Sequence, residues 1–85
     1  MLDPNEISAR ILAALPGSTV EVKDTTGTGD HFEALVVSPA FAGKSMIEQQ
    51  RAVYAPLDAW LKTGELHALA LKTYSPEQWQ KVTHK

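Results

Sequence analysis

The sequence predicts an α+β fold with the order α-β-β-α-β-α and a three-stranded mixed sheet covered by helices on one face. Three observations lead there. Helix-start signals recur at Asp3-Pro4-Asn5-Glu6, Ser45-Met46-Ile47-Glu48 and Ser75-Pro76-Glu77-Gln78. Two alternating, β-rich runs flank a polar loop and should pair antiparallel. A third alternating run follows the middle helix, and a right-handed crossover makes it parallel to the second.

Taken in order, Asp3 caps the first helix, with Pro4 at its first position. Ile7, Ile11, Leu12 and Leu15 then recur at helical spacing, and Pro16-Gly17 ends the helix. Thr19 to Lys23 alternates Val20 and Val22 with Glu21, as a half-exposed strand does. The loop Asp24 to Asp30, DTTGTGD, is too long for a two-residue hairpin turn and leads into the strand-like run His31 to Ser38. Ser38 to Phe41 suits a single helical turn.

Ser45 and Glu48 form a capping box for the next helix, with Ile47, Val53, Leu57, Trp60 and Leu61 near one side. Glu48, Gln49, Arg51, Asp58 and Lys62 are expected largely in solvent. Pro56 removes a backbone donor, so a kink or break is expected there. After Thr63-Gly64, Leu66, Ala68 and Ala70 alternate with His67, Leu69 and Leu71 in a third strand, central or covered on one side. A last short helix carries Trp79. No repeat or linker divides the chain, so residues 1–85 read as a single domain.

Composition narrows the function. A chain of 85 residues buries only about 60% of its extended-state surface, leaving no room for a deep enzyme cleft. No apolar run is long enough to span a bilayer, and the acidic N-terminus lacks the basic and apolar regions of a signal peptide. A cytoplasmic location without membrane attachment is expected. There is no cysteine, so thiol catalysis, disulfides and a thiolate metal site made by this chain alone are excluded. Eight basic against ten acidic residues give a formal charge of −2, which disfavours binding to phosphate backbones.

Two phosphate-loop readings fail. Ala42-Gly43-Lys44-Ser45 has Ser38 where a Walker loop needs glycine, and Gly27-Thr28-Gly29-Asp30 lacks the third glycine and following helix of a dinucleotide fingerprint. The carboxylates are scattered, and no nucleophile, histidine and acid form a catalytic pattern. The chain is not expected to be an enzyme.

Topology draws attention to histidine instead. His31 opens the second strand and His67 the third, and parallel neighbours start at the same sheet edge. The DTTGTGD loop enters there too, so Asp30 is a further candidate. Imidazole suits zinc, copper and iron and coordinates as the neutral ring. A single histidine at a strand start is more often a surface residue than a ligand, and His84 reads as a solvated terminal residue.

The order of elements also resembles one form (type II) of the KH fold. A nucleic-acid-binding or transcription-regulating module is therefore the alternative function. The turn Ala42-Gly43-Lys44-Ser45 stands where KH domains carry a GXXG loop, and that motif is missing. Lys44 and Arg51 supply only a thin basic rim for nucleic acid or a protein partner.

From Glu6 to Trp79 the chain resembles the BolA family. The resemblance rests on His31-Phe32 leading to Val36-Val37-Ser38, on Phe41-Ala42-Gly43-Lys44, on Gln50-Arg51-Ala52-Val53-Tyr54, and above all on Leu66-His67-Ala68-Leu69 followed by Thr73-Tyr74-Ser75-Pro76-Glu77-Gln78-Trp79. Many members carry Arg-His-Arg in the middle helix. Here Gln49-Gln50-Arg51 occurs instead, as in one subgroup of short bacterial and organellar relatives. The resemblance implies a non-enzymatic partner of monothiol glutaredoxins in iron-sulfur cluster trafficking or iron and redox regulation. The two proteins would share a [2Fe-2S] cluster, with thiolates from the glutaredoxin and its glutathione, and no cluster on the isolated chain. His67 matches the family's ligand histidine. The second ligand in the family is a Cys or His from the loop before the second strand, for which His31 is the natural candidate and Asp30 a weaker one.

Overall fold

The computed structural model describes residues 2–25, 27 and 31–83. The order is α1 (Pro4–Ala14), β1 (Thr19–Asp24), β2 (His31–Val37), a 3-10 turn (Pro39–Phe41), α2 (Met46–Thr63), β3 (Ala68–Tyr74) and α3 (Pro76–Thr83). The strands lie in the order β1-β2-β3, with β1 antiparallel and β3 parallel to the central β2. This is the α-β-β-α-β-α arrangement expected.

Local chemistry sets the element ends. The Asp3 carboxylate accepts from Asn5 N–H at 2.8 Å, capping α1 ahead of Pro4. At α2 both halves of the capping box form: Ser45 Oγ accepts from Glu48 N–H, and Glu48 Oε1 accepts from Ser45 N–H. Ser75 and Gln78 repeat this reciprocal pair at α3. Gly64, with φ of 83°, closes α2 in the left-handed region that only glycine enters without steric cost.

The core lies between α1, α2 and one sheet face. Phe32 and Val36 from β2 meet Ile7 and Ile11 of α1 and Val53 and Leu57 of α2, with Val20, Val22, Leu69 and Leu71 packed around them. These strand residues alternate, so the other face carries Glu21, Lys23, Glu33, Leu35, Ala70 and Lys72.

Three expectations are corrected. First, of the kink or break expected at Pro56, the break does not occur: α2 continues from Met46 to Thr63. Packing of Val53 and Leu57 on either side holds the turn together despite the missing donor. Second, α2 docks in a different phase: Gln49 is buried at 1% exposure, whereas Ile47 is 63% exposed. Gln49, Val53 and Leu57 recur every four residues and form the inward stripe, which leaves Ile47 off it. Third, the last strand, an edge strand covered on one side as expected, begins at Ala68 rather than at Leu66, with His67 just before it. Leu66 is buried ahead of the strand, its N–H donating to the carbonyl of Trp60 at 3.1 Å.

Candidate metal centre

The parallel register pairs His31 with Ala68, so His31 at the start of β2 stands beside His67 at the entrance to β3. The imidazole rings lie face to face with centroids 5.8 Å apart and planes inclined by 28°. His31 is half-buried and His67 exposed. With metal–nitrogen bonds of about 2.0–2.1 Å, two imidazoles on one tetrahedral ion have centroids about 5 Å apart. To share an ion the stacked rings would also turn so that their in-plane nitrogen lone pairs converge.

The backbone at this edge is anchored on both sides. Thr25 donates to the His31 carbonyl through its N–H at 3.0 Å and its hydroxyl at 3.2 Å, tying the ends of β1 and β2 together. Asp24 Oδ1 accepts from Gly27 N–H at 2.9 Å, which starts the loop with a local turn. On the other side Leu66, buried at 1%, pins the residue before His67. The histidine side chains are thus presented from a constrained frame with freedom at their own torsions. Asp30 and His84 lie outside the described residues.

Among the described residues no third His, Cys, Asp or Glu gathers with a second and a first into a metal-holding group. The pair offers imidazole nitrogen donors, suited to an ion whose other ligands arrive with a partner. An exposed ring at a sheet edge suits ligation shared between two proteins.

Lys44 and Arg51 are not brought to this edge. The 3-10 turn and the start of α2 follow the far end of β2, where Thr73 Oγ1 contacts Met46 Sδ at 3.4 Å. The length of β2, about 20 Å at some 3.3 Å per residue, separates the two regions. Both basic side chains are exposed. Between them Glu48 is held below the ordinary carboxylate range, first by the Ser45 backbone N–H, then by the Ser45 hydroxyl, with smaller help from Lys44 and Arg51. That carboxylate offsets part of the basic rim.

The sequence reading missed Gln49. Its Nε2 donates to the Lys44 carbonyl at 3.0 Å and to Gln78 Oε1 at 3.2 Å, with the Phe41 carbonyl at 3.5 Å. It fastens the Phe41–Lys44 turn, α2 and α3 to one another. Its four-residue spacing from Val53 and Leu57 was the available signal, obscured by its polar side chain.

Comparisons with known proteins agree with the fold. The sequence model of the family described as "BolA-like protein" matches residues 11–78. The acid stress protein IbaG of Escherichia coli is 33% identical over 78 residues, 92% of this chain and 89% of that one. The solution structure of yeast Fra2 superposes with a TM-score of 0.74 at 31% identity, covering 99% of this chain and 94% of that one. The BolA domain of SufE1 from Arabidopsis thaliana gives a TM-score of 0.78 at 30% identity, over 91% of this chain and 98% of that one.

Proposed function

The chain belongs to the BolA family, and from that premise we propose that it is a non-enzymatic adaptor that binds a monothiol glutaredoxin and shares a glutathione-ligated [2Fe-2S] cluster with it. In this reading it belongs to the subgroup with Gln49-Gln50-Arg51 in the middle helix and acts in cluster trafficking or iron and redox regulation. The observation that carries the proposal is the pairing of His31 and His67, with ring centroids 5.8 Å apart at one end of the sheet, in a chain without cysteine. The likeness to Fra2 and to the SufE1 domain supports a role near iron-sulfur biology.

His67 and His31 would hold the cluster on this side, with Asp30 as the alternative loop ligand. The donor set fits: neutral imidazoles in place of thiolates reduce the negative charge around the iron they bind, which raises the cluster's reduction potential and makes ligation sensitive to acid. The glutaredoxin and its glutathione supply the thiolates that this chain lacks. Such a pairing suits regulation or transfer better than electron delivery at very low potential.

The test is reconstitution with a monothiol glutaredoxin, iron, sulfide and glutathione, followed by visible absorption and circular dichroism. The mixed cluster should give a spectrum distinct from that of the glutaredoxin alone, and His67→Ala should remove that distinct component while the protein stays folded. An unchanged spectrum in the mutant mixture would remove His67 from the ligand set.

A further inference from the structure

The sheet face turned away from α1 and α2 has a charge pattern that neither the fold nor the histidine pair uses. Strand register places Glu21, Leu35 and Lys72 in one row across the sheet, and Lys23, Glu33 and Ala70 in the next. The four charged side chains are exposed. Between these rows and α3 lies an open groove of about 390 Å³, whose apolar lining comes from Leu35, Ala70, Tyr74, Trp79 and Val82. The side chain of Val82 is left 49% exposed, and α3 buries no residue of its own.

We infer that this face is a self-association surface, on which a second copy packs face to face about a two-fold axis running along β2. That axis lays β1 of one copy over β3 of the other. Glu21 then stands over Lys72 twice, once from each copy, and the two Leu35 side chains meet at the centre. In the next row Lys23 covers the small Ala70, and the two Glu33 carboxylates near the axis each have Lys23 of their own copy directly across the strand pair. Facing sheets lie about 10 Å apart, a gap that opposed glutamate and lysine side chains span. An isologous interface requires a patch complementary to itself. Two lysines and two glutamates on this face cancel, so the patch meets its own copy without net charge despite the chain's formal charge of −2, and the one like-charge approach, Glu33 to Glu33, is flanked by Lys23 of each copy. A partner surface of one sign would leave half of these charges opposed. Because the rows align, both histidine pairs come to the same end of the assembly.

The test is sedimentation of the full chain from micromolar to millimolar concentration, with circular dichroism to verify folding of each variant. The expected result is a reversible rise in mass to twice the 9.3 kDa chain. Leu35→Glu should hold the protein monomeric. Glu21→Lys and Lys72→Glu should each weaken association about tenfold, since each places like charges opposite one another twice. The double variant Glu21→Lys with Lys72→Glu should restore wild-type association. A wild type that stays monomeric throughout overturns the inference, as does association that Leu35→Glu leaves intact. Single reversals without effect, or a double variant that fails to recover, overturn this pairing of the two copies.

Discussion

Gln49 on α2 donates a hydrogen bond to Gln78 on α3 across 3.2 Å, and this is the point at which three segments are tied. Gln78 Oε1 also accepts from the Ser75 N–H, completing the cap of α3, while Gln49 also donates to the Lys44 carbonyl. Gln49 Oε1 is buried and has no partner among the described residues. The carboxamide thus serves through its donor end.

Removing that donor should be costly. Gln49→Ala leaves a cavity and strips the Lys44 carbonyl and Gln78 Oε1 of their partner, with an expected loss of about 2–3 kcal/mol in a urea titration. Gln49→Glu should be worse than Gln49→Met, because it buries a carboxylate against carbonyl oxygens. Equal midpoints for these last two variants would contradict the assigned role of the donor.

At the histidine edge, His31→Ala should weaken the shared cluster less than His67→Ala. The ring at position 31 is half-buried and follows Asp30, the alternative donor, in the chain, whereas His67 is exposed. Faster cluster loss after dilution, with the mixed spectrum retained, is the expected outcome. Wild-type lability in His31→Ala would move the second ligand elsewhere, and Asp30→Ala would be measured next.

The cap of α2 should give an acid-sensitive contribution. Ser45→Ala should cost about 1 kcal/mol at neutral pH. Glu48 has its folded-state value depressed below the ordinary 4.5, chiefly by the Ser45 N–H. Its contribution is therefore present above 4.5 and is lost as pH falls through the lowered folded value. The stability difference between wild type and Glu48→Gln, followed by thermal melts, should be constant from neutral pH to about 5 and shrink below 4.5. A difference that grows with acidification would mean that the sign is wrong.

Nucleic-acid binding by the chain alone should be weak. Lys44 and Arg51 are exposed, but Glu48 lies between them and the formal charge is −2. Affinity for a random oligonucleotide pool at physiological salt should not exceed the nonspecific range of about 10⁻⁴ to 10⁻⁶ M, with a shallow salt slope. Submicromolar, sequence-selective binding would favour the KH-like alternative.

Much of the fold was legible because its signals are local. The Ser45–Glu48 and Ser75–Gln78 boxes each satisfy backbone donors within a single turn, and Gly64 stops α2 through its own torsion, so these ends follow from neighbouring residues. The parallel relation of β2 and β3 also followed from chain order, and with it the shared edge of His31 and His67.

What neighbours in sequence could not decide was how each element is rotated against the core. Whether Ile47 or Gln49 points inward depends on the docking angle of α2, which Val53, Leu57 and the sheet set together; the result buries the amide and exposes the isoleucine. Continuity of α2 through Pro56 is likewise a packing outcome, since the contacts around Val53 and Leu57 offset one missing hydrogen bond. The row of Glu21, Leu35 and Lys72 exists only through strand register, joining residues that lie 14 to 51 positions apart in the chain. By itself the sequence determined the elements, their caps, their order and the edge that holds the histidines. Tertiary structure alone decided burial phase, the Gln49 tie and the 5.8 Å separation of the rings, because these depend on side chains meeting across elements rather than on propensity within one.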